Sequence, residues 1–274
     1  MSSRIDKFGS SGYDNEKGQE VPSTEIIEAR EEFAEKAKSL FSGWNETLIA
    51  SCLQGVMGQA YVAGDAAAAY LGDLSFYAGS PSEELLRFKP NPESKFVIMV
   101  PGSEAWEPLL EEIYGEKAKK VTRYAIRKDT VFDRAHLEEI KARLPEGYTI
   151  ELLGEGEYSY CRENEWCRDW VSQFKSYEDF HRRGLGMVVK KDRVPVSGAS
   201  SYSVYNGGIE IQIDTHTDYR RQGLAAAAAA GLILECLDRG LYPSWDAANL
   251  WSVALAEKLG YRLDHEYDAY FVNW

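Results

Sequence analysis

The residues best suited to chemistry lie in one short stretch, Asp214-Thr215-His216-Thr217-Asp218-Tyr219-Arg220-Arg221-Gln222-Gly223-Leu224-Ala225. Two arginines, a glutamine and a glycine fall between an alternating segment, Ile209-Glu210-Ile211-Gln212-Ile213, and an alanine-rich run from Ala225 to Arg239. The order is strand, polar turn, helix. A helix start leaves its first N–H groups without intrahelical acceptors and carries the positive end of the helix dipole. A glycine lets a ligand approach that backbone closely, and arginines add charge. Arg220-Arg221-Gln222-Gly223-Leu224-Ala225 therefore suits a pyrophosphate cradle, with Ala225 leaving the helix start uncrowded. The turn lacks Gly-Lys-Ser/Thr, so it is not a P-loop, and it lacks Gly-x-Gly-x-x-Gly, which argues against a dinucleotide site. Without its neighbours, the same stretch would read as a helix start with solvated arginines.

The elements that must hold this turn can be read on both sides of it. Upstream, Glu163 to Phe174 and Tyr177 to Arg183 have helical character. Gly186 to Val189, Val194 to Tyr205 and Ile209 to Thr215 read as strands joined by turns at Asp192-Arg193 and Asn206-Gly207. Downstream, Leu224 to Arg239 is a helix closed by Gly240, Leu241 to Trp245 is extended, and Asn249 to Leu259 is a helix closed by Gly260. Tyr261 to Val272 is mostly extended. The first half mixes helices and strands too. A helix is expected from Ser23-Thr24 through Phe41, and another over Leu48 to Met57. Short strands are expected at Gln59 to Ala63 and Asp73 to Tyr77, with Ala66 to Leu71 as a helical turn between them. A strong strand follows at Lys95 to Val100, and then a helix from Glu104 to Tyr114. The rest of this half reads as a strand near Val121 to Ile126, a helix from Asp133 to Leu144 and an extended Tyr148 to Leu153. Composition shifts near Gly154 to Glu157. The expected division is a mobile arm over 1–22, an α/β domain over 23–154 and a second domain over 155–274.

The bulk properties limit what such a chain can do. With 274 residues, seven Trp and 44% apolar residues it can bury a substantial core. A net charge of −13 argues against broad nucleic-acid or anionic-membrane binding. Cys52, Cys161, Cys167 and Cys236 show neither metal-ligand nor disulfide spacing, as expected of reduced thiols in a cytoplasmic protein without a bound metal. No apolar run is long enough to span a membrane, and no signal peptide is seen.

Two separated motifs together carry a resemblance. Tyr219-Arg220-Arg221-Gln222-Gly223-Leu224-Ala225 opens an alanine-rich helix. Trp245-Asp246, Asn249-x-x-Ser252 and Lys258-Leu259-Gly260-Tyr261 follow. This pattern resembles the GNAT superfamily of acyl-CoA-dependent N-acyltransferases. It covers roughly the last ninety residues well. More loosely, the whole chain is similar to a bacterial two-part GNAT family with an extra N-terminal domain. The resemblance implies a mixed α/β (α+β) protein: a GNAT-like fold with a central mixed sheet flanked by helices, preceded by an α/β domain that could be a diverged GNAT-like half. It implies acetyl-CoA as co-substrate and a small-molecule or peptide amine as acceptor. Ile213, Asp214 and Thr215 would meet the pantetheine arm. Arg220, Arg221, Gln222, Gly223, Leu224 and Ala225 would bind the pyrophosphate. Asn249 and Ser252 would line the thiol side; the other reading is a helix N-cap at Asn249 with Ser252 three residues on, and the cofactor role is the favoured one for Asn249.

The implied chemistry is direct attack of an amine on the thioester, which needs a base for the ammonium proton and an acid for the thiolate. Glu210, Asp214 and His216 are candidate bases on or near the strand, with Glu210 and Asp214 preferred. Strand alternation places Glu210, Gln212 and Asp214 on one face. That face could equally be a solvated side of the sheet. His216 reads as a structural turn residue, and Asp246 as an amine ligand or a helix cap. Many relatives carry a Tyr seven residues after the motif Asn, where this chain has Ala256. Trp166, Trp170, Tyr158, Tyr160 and Phe174 read mainly as core. Two rival functions stay open: a non-catalytic acyl-CoA-binding protein, and an aminoacyl transferase built from tandem GNAT-like halves. A homodimer is compatible with the sequence.

Overall fold

A computed structural model of the chain describes residues 25–28 and 33–274. The expected arm over 1–22 and the helix start at Ser23-Thr24 lie outside the described residues. The chain forms two compact units. One holds the residues up to Val121 together with Asp268–Trp274, and the other holds Thr122–Tyr267.

In the first unit β1 (Ile27–Glu28) precedes α1 (Ala34–Leu40) and α2 (Thr47–Leu53). Then come β2 (Gln59–Ala63), β3 (Ala66–Leu71) and β4 (Leu74–Gly79), α3 (Glu83–Arg87), β5 (Phe96–Pro101), α4 (Glu107–Tyr114) and the start of β6 (Ala118–Ile126), whose residues from Thr122 belong to the second unit. β1 to β4 pair antiparallel in sequence order, and β4 pairs parallel with β5 from Leu74 opposite Ile98 to Tyr77 opposite Pro101. Tyr270 to Asn273, the end of β13 (Leu263–Asn273), pair antiparallel on the other edge of β5. Ala66 to Leu71, expected to be helical, is instead a strand buried along its whole length. It is paired along both edges, with β2 and with β4, and that pairing outweighs the helical preference of alanine. The core gathers Tyr61, Tyr70, Tyr77, Leu85, Met99 and Trp106.

The second unit adds α5 (Arg134–Ala142) and then repeats the same order: β7 (Tyr148–Leu152), α6 (Glu155–Glu163), α7 (Tyr177–Arg183), β8 (Gly186–Lys191), β9 (Val194–Tyr205) and β10 (Gly208–Thr215). α8 (Leu224–Asp238), β11 (Tyr242–Ser244), α9 (Leu250–Lys258) and β13 follow. A two-residue strand, β12 (Asp246–Ala247), pairs with β6. The sheet order is β11-β10-β9-β8-β7, antiparallel except for the β10–β11 pair. The boundary expected at 154 falls inside this unit, because Tyr148–Leu152 pairs with Lys191–Met187 of β8. The helix expected over Glu163 to Phe174 is displaced. α6 ends at Glu163, and Glu165–Trp170 forms a 3-10 turn. Gly154, where the composition shifts, is the N-cap of α6, with Glu157 Oε2 accepting the Gly154 N–H at 3.0 Å.

α8 explains the alanine run. Ala226 to Ala230 are buried, and a Cβ on Gly231 would lie 3.2 Å from Ile150 and from Met187. Small side chains let this helix lie close on the sheet and fix the turn that opens it. No helix among the described residues is long and apolar enough to cross a membrane. The cysteines are free and buried. Burial pushes the Cys52 and Cys236 thiols up to about 12.

Candidate active site

β10 outruns its parallel neighbour. β11 pairs with it only at Gly208, Ile209 and Glu210, so Ile211 to Thr215 present a strand edge beyond the last β11 register. Such an edge carries unpaired N–H and C=O groups able to take an extended amide chain. At its end the chain enters the polar turn. Arg221 has φ 62° and Gly223 φ 81°. Positive φ suits glycine but is uncommon for a side-chain-bearing residue and marks a constrained, often functional, position. Gly223 is the N-cap of α8 and supplies no side chain to the helix amides. The first N–H groups of α8 therefore have no side-chain cap and follow directly on a turn that carries Arg220 and Arg221, an anion-binding arrangement. Arg220, Arg221, Gln222 and Gly223 are exposed, Ala225 is partly buried and Leu224 anchors the helix in the core.

Contacts that sequence alone did not show brace the turn. Gln222 Oε1 accepts the Tyr148 O–H at 2.7 Å, and Arg220 Nε donates to the Thr215 carbonyl at 3.3 Å. Lys191 Nζ stands 5.4 Å over the Tyr148 ring and 5.7 Å over Tyr219. A third cation thus joins the two arginines on this side of the unit.

The candidate bases occupy distinct settings on β10. Asp214 Oδ2 accepts from Gln212 Nε2 at 2.9 Å and from Trp170 Nε1 at 3.1 Å. Burial pushes the Asp214 carboxyl above its usual range, against the pull of those two donors. Gly198, opposite Asp214, makes room for Trp170, since a Cβ there would meet the indole at 2.6 Å. Trp170 is therefore more than core: it fixes a candidate carboxylate. Glu210 is 4% exposed and sits at the last β11 register. The register shift beside it skips Tyr202 of β9, so β10 itself alternates without interruption, as expected for Glu210, Gln212 and Asp214 on one face. Ile213 and Thr215 are partly buried on the strand, and the Thr215 hydroxyl lies 2.7 Å from Ser197 Oγ. His216 sits between Trp166 and Tyr219, and its Nδ1 accepts from the Asp218 N–H at 3.4 Å.

A family model described as GNAT acetyltransferase matches residues 38–270, across both units. The chain belongs to the GNAT acetyltransferase family. It is 46% identical to a GCN5-related N-acetyltransferase-like protein from Streptococcus suis 89/1591, whose crystal structure matches with TM-score 0.83 over 88% of this chain and 99% of that one. It is 29% identical to YdfB of Bacillus subtilis (strain 168), named an uncharacterized N-acetyltransferase, over 65% of this chain and 67% of that protein. A GCN5-related N-acetyltransferase from Kribbella flavida shares the fold, with 17% identity and TM-score 0.53 over 85% of this chain and 96% of that one.

The remaining motif residues of this GNAT chain are placed as follows. Asn249 is the N-cap of α9, its Oδ1 accepting the Ser252 N–H at 3.0 Å. The Asn249 amide nitrogen and the Ser252 hydroxyl take no part in that bond. Asp246 is neither cap nor exposed amine ligand. It is ion-paired with Arg123, whose Nε lies 2.9 Å from Oδ1, and its Oδ2 accepts the Tyr267 O–H at 2.8 Å. Ala256 is fully buried, and its carbonyl accepts from the Leu259 and Tyr261 amides. Among the described residues no group of His, Cys, Asp or Glu is arranged to hold a metal ion.

Proposed function

We propose that this GNAT protein transfers an acetyl group from acetyl-CoA to the amine of an acceptor by direct attack on the thioester. The observation that carries the reading is the junction of the bare β10 edge with the uncapped, arginine-flanked start of α8. The turn Arg220–Ala225 would take the pyrophosphate. The edge Ile211–Thr215 would take the amides of the pantetheine arm, which would bring the thioester toward Glu210. Glu210 is the preferred base because it stands where the two strands part. Asp214 already accepts two hydrogen bonds on one oxygen and serves better as a fixed acceptor. Thiolate is a competent leaving group, so protonation by solvent can replace the tyrosine that Ala256 displaces.

The test is titration calorimetry with acetyl-CoA, followed by release of free CoA thiol across a panel of putrescine, spermidine, tyramine, lysine and a glycine-terminated peptide. Saturable binding with thiol release on one of these amines supports the reading. Glu210→Gln should then lower kcat about 100-fold, the scale of lost general-base catalysis. Binding without release on any amine favours the non-catalytic acyl-CoA-binding alternative. Absence of binding overturns both.

A further inference from the structure

β11 leaves β10 abruptly, and the residues just beyond the parting show where the chain goes. Ser244 of β11 lies opposite Glu210, and carrying that register on by two residues would set Asp246 opposite Gln212. Asp246 instead lies opposite Ala125, and Ala247 opposite Tyr124, so β12 pairs antiparallel with β6. The backbone groups that would have closed the β10 edge are taken up there, and Ile211 to Thr215 stay open.

The diverted carboxylate is held by a buried network. The Arg123 and Asp246 side chains are 9% and 8% exposed. Arg123 Nε donates to Asp246 Oδ1 at 2.9 Å and also reaches Tyr267 Oη at 3.2 Å, and Arg123 Nη2 donates to the same Oδ1. Tyr267 Oη in turn donates to Asp246 Oδ2 at 2.8 Å. Burial opposes the Arg123 charge, yet Asp246 and Tyr267 outweigh it and raise the guanidinium above its usual range. Arg123 stands two residues before Ala125 on β6, so it shares the face of Asp246. The other register is unfavourable for the same carboxylate. Directly opposed residues point to one face, so Asp246 opposite Gln212 would join Glu210 and Asp214 on the acidic side of β10. A buried ion pair adds little net stability, because desolvation offsets the attraction, and its role is better sought in the geometry it fixes.

We propose that Arg123, Asp246 and Tyr267 hold the fork open: the buried pair draws β12 onto β6 and so keeps the Ile211–Thr215 edge available to the amides of the pantetheine arm. The second half rests on the acetyl-transfer reading above. All three are positioning residues. They act on the ligand only through the strand that they turn aside, from the attraction of Arg123 on one side and the repulsion of Glu210 and Asp214 on the other.

The experiment uses the full chain and two variants. Arg123→Met/Asp246→Leu replaces the pair with apolar side chains, and Asp246→Asn keeps the shape and removes the charge. Residue-resolved amide hydrogen exchange without ligand decides the first half, read at the amides of Ile211–Thr215 that do not face β9. They should exchange fast in the parent. In the variants β12 is no longer held off β10, and the same amides should exchange about tenfold more slowly. General loosening of the fold would move exchange the other way. Slow exchange in the parent, or unchanged or faster exchange in a folded variant, therefore overturns the proposal. If the double variant does not fold, Asp246→Asn is judged by the same criterion. Calorimetry with acetyl-CoA decides the second half. The variants should bind about tenfold more weakly, the scale of one lost hydrogen bond. Unchanged affinity in a variant whose edge has closed overturns the link to the ligand. If the parent does not bind acetyl-CoA, the acetyl-transfer reading and that link fall together, while exchange still decides whether the pair opens the fork.

Discussion

The two units run the same order of elements, but their fourth strands end in different ways. In the first, parallel pairing of β4 with β5 continues to Tyr77, and the Gly102 N–H donates to the Tyr77 carbonyl at 2.8 Å. Trp106 Nε1 then donates to the Gly79 carbonyl at 3.2 Å, so the strand end is closed by the unit's own side chain. The helix that follows is only five residues long. Ser82 Oγ accepts its Leu85 N–H at 3.2 Å, and Glu83 and Glu84 fill its first turn. In the second unit pairing stops at Glu210, no side chain caps α8, and two arginines precede it. An anion is repelled at one helix start and attracted at the other. Repeated topology therefore does not repeat the site: the open strand edge and the uncapped helix make it, and only one unit has them.

The strongest perturbation of this comparison is Trp106→Ala. Trp106 is fully buried, and its removal should cost about 3–5 kcal/mol of stability, seen as a lower midpoint in urea unfolding. The affinity for acetyl-CoA of the protein that remains folded should be unchanged. Lost affinity in a well-folded variant would show that the first unit is not closed to ligand. Next comes Arg221→Glu, or Gly223→Glu, each placing an anion where the pyrophosphate is expected. Calorimetry should show acetyl-CoA binding weakened by about 100-fold, roughly 3 kcal/mol, with the melting temperature little altered for Arg221→Glu. The mirror change Ser82→Arg should add no second binding site.

The part of this contrast that was legible in sequence is the local part. The turn at Arg220–Ala225, the helices after it and their glycine ends are short-range patterns. Gly240 and Gly260 take φ 69° and 101°, and the hairpin residues Asp192 and Arg193 take 51° and 70°. What escaped depends on distant partners. Trp170 meets Asp214 across 44 residues, and Arg123 meets Asp246 across 123, so neither pair leaves a mark in local spacing. Ala66–Leu71 has the composition of a helix and becomes a strand only because Ala63 and Gly79 hold it between two neighbours. The repeat itself was hidden because the two units share an order of elements and no recognisable sequence repeat.

A smaller test compares two helix caps. Ser82→Ala and Asn249→Ala each remove a side-chain acceptor from a helix N-terminus and should each cost about 1 kcal/mol of stability. Only Asn249→Ala should also weaken acetyl-CoA binding, because only its helix follows the fork. Equal affinities in the two variants would reduce Asn249 to a cap and remove it from the cofactor site.

The smallest expected effect concerns Asp214, whose setting on β10 has no counterpart on β4. Its carboxyl is raised by burial, so the folded state holds the proton more tightly than the unfolded chain does. By linkage, stability then falls as pH rises from the ordinary aspartate value, about 3.9, up through the raised value, and is level above it. Asp214→Asn removes the titration but can keep both bonds, since Trp170 Nε1 and Gln212 Nε2 both donate and an amide oxygen can accept. The variant should therefore gain melting temperature relative to the parent as pH is raised from about 4 to 7. The gain should be small, because the shift is partly offset by the two donors. A difference in melting temperature that is flat across that range would mean Asp214 ionises as a solvated carboxylate does. The packing of Trp170 over Gly198 would then do no more than fill space.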